Sequence, residues 1–145
     1  MSKFKKCDDL YRNYLKFKRG PQCELCGKSE NALSFPLSIF HILSKGSHPR
    51  LRYAEENTLL SCWTKGESRA CHNIWHGAGH GAWYDRRRDE IKKRICELRD
   101  ARDWDDLNTT LLQAEKYQDR ITKIKLEGLC YYYKQEYEKL RSHNV

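Results

Sequence analysis

His41, Asn57, His72 and His76 occur in an order and at spacings that suit hydrolysis of a phosphodiester. That reaction needs an activated water, an offset for charge on the phosphate and a stabilised leaving oxygen. His41 closes an apolar, β-forming run and titrates near neutrality, so it can take a proton from water. Asn57 opens a second such run; its amide both donates and accepts, and can hold the turn between the runs or orient His41. His72 and His76 stand four apart, which puts them on one helix face where they can bind one divalent cation. His80 is close enough in sequence to join them.

A second donor set surrounds the first. Cys23-Glu24-Leu25-Cys26-Gly27 is a knuckle in which two thiolates grip one zinc and the glycine lets the backbone turn. Cys62 and Cys71 supply a second pair. Four cysteines so spaced read as a structural zinc site rather than a disulfide ladder, which points to a reducing compartment. Cys7, Cys96 and Cys130 lie singly in helix-like segments and read as small buried apolar residues.

The chain of 145 residues has the size of one domain, and its net charge of +8 favours a polyanionic partner, most simply nucleic acid. Phosphate contacts are expected from Lys45, His48, Arg50, Arg52 and Lys65, with Arg86-Arg87-Arg88 extending the surface. The first twenty residues lack the apolar core of a signal peptide, and no run approaches the ~18 apolar residues of a membrane span. The expected location is therefore cytoplasmic, with no membrane partner.

The elements that must hold these side chains follow from the pattern. Asp8 to Arg19 reads as a helix stopped by Gly20-Pro21. Leu33 to Leu43 reads as a strand ending near His41, Ser44 to Glu56 as a basic loop, and Thr58 to Cys62 as a second strand. Trp63 to Arg69 is a polar excursion containing Gly66, and Ala70 to His76 a short helix ended by Gly77. From Trp83 the chain is helical again, with Ile91, Ile95 and Leu98 inward. Asp105-Asp106 are expected to cap a last helix from about Leu107 to Arg141, bent at Gly128, with Leu111, Ala114, Tyr117 or Gln118, Ile121, Ile124 and Tyr131 or Tyr132 on its apolar side. These two helices would form an antiparallel hairpin, and Tyr131-Tyr132-Tyr133 suggests a homodimer through them.

Taken together, the stretch from Cys23 to His76 resembles the HNH, or ββα-metal, endonuclease superfamily. Within it, His41, Gly46, Pro49 to Tyr53, Asn57 and Cys62 are similar to the pattern of phage NinG/Rap-type recombination nucleases. The resemblance implies an α+β fold. A zinc-stapled ββα-metal core would span 21–82, with an N-terminal helix and a C-terminal helical extension over 83–145, all one domain. It implies a metal-dependent DNA endonuclease, branched-DNA or recombination related, that leaves a 5′-phosphate and a 3′-hydroxyl. By position, His41 is its general base, Asn57 its central asparagine, and His72 and His76 its ligands to a catalytic Mg²⁺, Mn²⁺ or other divalent transition metal. Cys23, Cys26, Cys62 and Cys71 match its zinc cage. Two features depart from the family pattern. Phe40 stands where many members carry an Asp or His ligand, and eight residues separate Cys62 from Cys71. The alternative expectation is a catalytically inactive, zinc-stapled nucleic-acid binder.

Overall fold

The computed structural model describes residues 2–65 and 69–143. The fold is α+β: among the described residues there are five α-helices and one two-stranded antiparallel sheet, in two compact units. One unit joins residues 1–21 to 119–145; the other runs from 22 to 118.

In the terminal unit, α1 (Lys5–Arg19) packs along α5 (Lys123–His143). Cys7, Tyr11, Tyr14 and Leu15 recur at helical spacing and are buried, whereas Phe17 is exposed. The Tyr133 ring sits 4.6 Å from Tyr11 and 5.2 Å from Tyr14, and Phe17 meets Tyr137 edge-on at 5.8 Å. Those pairings ascend together along both helices, so α1 and α5 run parallel.

The central unit is built on a hairpin. Strand β1 (Ser38–His41) pairs with β2 (Thr58–Ser61), with Ser38 opposite Ser61, Phe40 opposite Leu59 and His41 opposite Thr58. β1 is much shorter than the expected run over 33–43, because Glu30–Ala32 forms a turn of 3-10 helix and Leu37 N–H is taken by the Glu30 carboxylate at 2.9 Å. Helix α2 (Cys71–Trp75) meets β1 through His72 and Trp75 and buries Ile74, and α3 (Ala82–Leu98) packs on α2 with Ile91 and Ile95 fully buried. Each such side chain contributes roughly 1.5–3 kcal/mol by leaving water. Helix α4 (Trp104–Glu115) returns against α3.

The long last helix does not form. Its N-cap is Asp103, whose carboxylate accepts the Asp106 N–H at 2.8 Å, and Asp105 and Asp106 fill its first turn instead. The helix stops at Glu115, and a new one starts at Lys123, where Thr122 Oγ1 accepts the Lys125 N–H at 3.2 Å. The break lies at 116–122, not at Gly128, which stays helical. The expected apolar stripe is accordingly wrong in its second half: Tyr117, Ile124 and Tyr131 are exposed, and Leu126 and Tyr133 are buried. The expected antiparallel pair is reduced to α3 and the short α4. No described helix is long and apolar enough to cross a membrane.

Candidate functional site

The knuckle is folded by its own sequence. Gly27 sits at φ +82°, its N–H donates to Cys23 O at 2.8 Å, and Cys23 N–H donates to Lys28 O at 2.9 Å. Glu24 ties this turn to β2: its N–H donates to Leu60 O at 2.9 Å, and its carboxylate accepts the Leu60 N–H at 2.6 Å. Cys62 follows β2 directly and Cys71 opens α2. The Cys71 N–H donates to Cys62 Sγ at 3.3 Å and the His72 N–H to Cys62 O at 3.1 Å. Asn73 clamps the connecting segment, accepting the Thr64 N–H at 3.1 Å and donating to Thr64 O at 2.8 Å. Gly66 of that segment lies outside the described residues.

The four Sγ atoms of Cys23, Cys26, Cys62 and Cys71 lie within 4.8 Å of one another, with Cys26 and Cys62 at 3.8 Å. Thiolates about 2.3 Å from one tetrahedral zinc stand about 3.8 Å apart, so this donor set fits such an ion. Hydrogen bonds from Cys23, then Cys62 and Cys71, hold the Cys26 thiol far below its ordinary range, while bonds to Cys23, Cys26 and Cys62 push Cys71 far above it. Four like thiols this close cannot all ionise in isolation; a dication between them removes that conflict. Arg87 Nη2 donates to Cys71 Sγ at 3.4 Å and offsets part of the cage's negative charge. Three of the sulfurs are buried, and only Cys26 is exposed. The cluster is placed to hold the hairpin, the knuckle and α2 together, with no open position for a substrate.

At the far end of α2 lies a second arrangement. Asn57 is fully buried. Its Oδ1 accepts the Leu43 N–H at 2.8 Å, and its Nδ2 donates to Leu43 O at 3.0 Å and Leu51 O at 3.3 Å. One side chain thereby closes the long connection between the strands. Arg99 supports it from α3's C-terminus, donating to Glu56 O at 2.8 Å and Thr58 O at 2.6 Å. The closed connection turns the Arg52 carbonyl toward His41, which lies 3.0 Å away through Nε2. A carbonyl only accepts, so Nε2 carries the proton and the lone pair of the neutral ring is on Nδ1.

Phe40 and Ser38 point to the other sheet face, toward α2. The buried Phe40 ring lies 5.5 Å from His72 and 5.6 Å from Trp75. Ser38 Oγ lies 2.5 Å from His72 Nδ1 and donates to Ser61 O at 3.2 Å. The one proton of the Ser38 hydroxyl has three acceptors within reach, His72 Nδ1, Ser61 O and, at 3.3 Å, Ser61 Oγ, and the shortest contact is the one to His72. Burial, followed by the charges of His76, His41 and Lys45, lowers the His72 pKa to about 4, so the ring is neutral at pH 7 and fit to coordinate. The His76 ring lies 4.8 Å from that of His72. Arg88 fixes the turn after them, donating to Ile74 O, Ala78 O and Gly79 O, each at 2.9 Å.

His72 and His76 thus lie side by side, and His41 is near enough for its charge to act on His72. Among the described residues the only group of three or more His, Cys, Asp or Glu donors close enough for a metal is the four-cysteine cluster. Compared with known proteins, the chain matches no family model, no curated protein and no solved structure.

The expected phosphate contacts divide. Lys45, Arg50 and Lys65 are exposed, and Lys45 is near enough to act on His72. His48 is engaged instead with Glu115, 3.0 Å from Nδ1, and Arg52 lies over the Tyr53 ring at 5.9 Å. The run at 86–88 is turned inward at Arg87 and Arg88, which serve the cysteine cage and the end of α2. Sequence reasoning missed Ser38, Arg88 and Arg99. Strand parity was a usable signal for Ser38, which shares a face with Phe40; the two arginines act on backbone carbonyls distant in sequence and leave no local pattern.

Proposed function

We propose that the chain is a divalent-metal-dependent DNA endonuclease of ββα-metal type, close in design to phage recombination nucleases that cut branched DNA. The observation that supports this reading is the side-by-side pair of His72 and His76 next to a hairpin closed by Asn57, with His41 held through Nε2 and near enough to act on His72. His41 Nδ1 accepts a proton from water, and the resulting hydroxide attacks phosphorus as the bond to the 3′ oxygen breaks; the departing alkoxide takes a proton from a second water, leaving a 5′-phosphate and a 3′-hydroxyl. A divalent cation held by His72 and His76 would offset charge on the phosphate and the leaving oxygen. Lys45, Arg50 and Lys65 contact the flanking phosphates.

Phe40 favours a second reading, that of a nucleic-acid binder stapled by zinc that cuts nothing. Its ring fills the face on which a carboxylate or imidazole would complete the histidine pair. Supercoiled plasmid separates the two. Nicking or linearisation that requires Mg²⁺, Mn²⁺ or Ni²⁺, fails in EDTA and drops by about 10²–10⁴-fold in His41→Ala is the expected result. Binding without cleavage under every metal leaves the second reading standing.

A further inference from the structure

The chain's charge does not sit where the histidines do. The terminal unit of α1 and α5 holds thirteen Lys and Arg against six Asp and Glu, which is seven of the chain's net +8. The central unit holds fifteen against fourteen and is nearly neutral. A polyanion is therefore attracted chiefly to the unit without the histidine site.

That unit contains a groove between α1 and α5 of about 640 Å³. Lys3, Lys6, Lys123 and Lys134 line it, against a single carboxylate, Glu127. All four lysines are exposed. Leu10 and Leu126 give it an apolar floor, and Tyr131 borders it with its side chain largely in solvent, 68 % exposed. Because α1 and α5 run parallel, both helices begin at this end, and the positive ends of both dipoles add to the lysines. Cations around an apolar floor beside an exposed ring suit a chain of phosphates whose unpaired bases need something to stack on. Duplex DNA offers phosphates but no open base faces, and leaves the floor and Tyr131 unused.

We infer that the α1–α5 groove binds single-stranded nucleic acid, with phosphates on the four lysines and a base on Tyr131. The site is distinct from the histidine patch and stands whether or not the chain cuts DNA.

Fluorescence anisotropy of a labelled fifteen-nucleotide oligothymidylate, without added divalent cation, tests it on the full chain. Replacing Lys3, Lys6, Lys123 and Lys134 together by Gln should reduce the slope of log affinity against log salt by about 3, the value for four single-strand phosphate contacts. Gln at Lys5, Lys18, Lys125 and Lys139 removes equal charge from the same unit outside the groove and should change the slope much less. Tyr131→Ala should weaken binding about ten-fold and Tyr131→Phe should restore it. Equal losses from both lysine sets, or an unchanged affinity in Tyr131→Ala, would overturn the inference, as would tighter binding of an acidic peptide than of the oligonucleotide. Plasmid cleavage by the groove variants is scored separately, so loss of the nuclease reading leaves this result legible.

Discussion

Helix α2 carries parts of two donor sets, and they are built on opposite plans. At its start, Cys71 completes four like donors within 4.8 Å of one another. One turn apart, His72 and the C-cap His76 bring two imidazoles, with the Phe40 ring against His72. Four thiolates saturate a tetrahedral cation and leave it nothing to offer a substrate; two imidazoles would leave most of its positions open. The same five-residue helix contributes to both because its first backbone N–H groups meet Cys62 while the His72 side chain meets β1.

The comparison breaks first at the cysteines. Cys62→Ser should abolish the folded central unit, since a structural zinc in a small domain contributes on the order of 10 kcal/mol and the whole fold is worth no more. Zinc content by mass spectrometry should fall from one per chain to near none, with loss of the dispersed amide spectrum. A Cys62→Ser protein that keeps both its fold and its histidine chemistry would mean the two ends of α2 are independent.

A smaller effect is expected at Asn57, which belongs to neither set yet shapes the open one. Asn57→Ala takes from the Leu43 N–H and the Leu43 carbonyl their Asn57 side-chain partner, while the Leu51 carbonyl keeps the Ala54 N–H, at about 3 kcal/mol in urea denaturation. Cleavage should fall with it, because the Arg52 carbonyl that holds His41 lies in the connection Asn57 closes. Lost cleavage at full stability would instead place Asn57 in contact with metal or substrate.

These two sites were unequally legible in the sequence. The cysteine cage could be read from spacing alone, because two cysteine pairs so spaced have few other uses. The eight residues between Cys62 and Cys71 do not disturb it, since Asn73 and Thr64 return the chain to the cage. The hairpin and the pairing of His72 with His76 were also legible, through strand composition and helical spacing. His80 follows Gly77 and Gly79, whose positive φ angles of +99° and +81° end the helix that carries the pair. The end of the chain was misread for a different reason. α4 and α5 have continuous helical periodicity, but their apolar faces are claimed by different units, Leu107 and Leu111 by one, Leu126 and Tyr133 by the other. Only Thr122, a capping residue inside an otherwise helical pattern, marked the break.

Ser38 gives the finest test, because its expected effect is confined to the open set. The Ser38 hydroxyl bonds His72 Nδ1, so Ser38→Ala removes the bond that orients the His72 ring. Loss of such a supporting partner weakens metal binding by about 10–100-fold. Calorimetric titration of the zinc-loaded chain with Mn²⁺ or Ni²⁺ should show that loss, while the urea midpoint stays near wild type, since Ser38 is partly exposed and Ala suits a short strand. Ser38→Thr keeps the hydroxyl and should restore affinity. A stability loss as large as that of Asn57→Ala, with metal affinity untouched, would make Ser38 a register residue of the sheet. The histidine end of α2 would then be no metal site, and the contrast with the cysteine end would reduce to one site and a packed helix terminus.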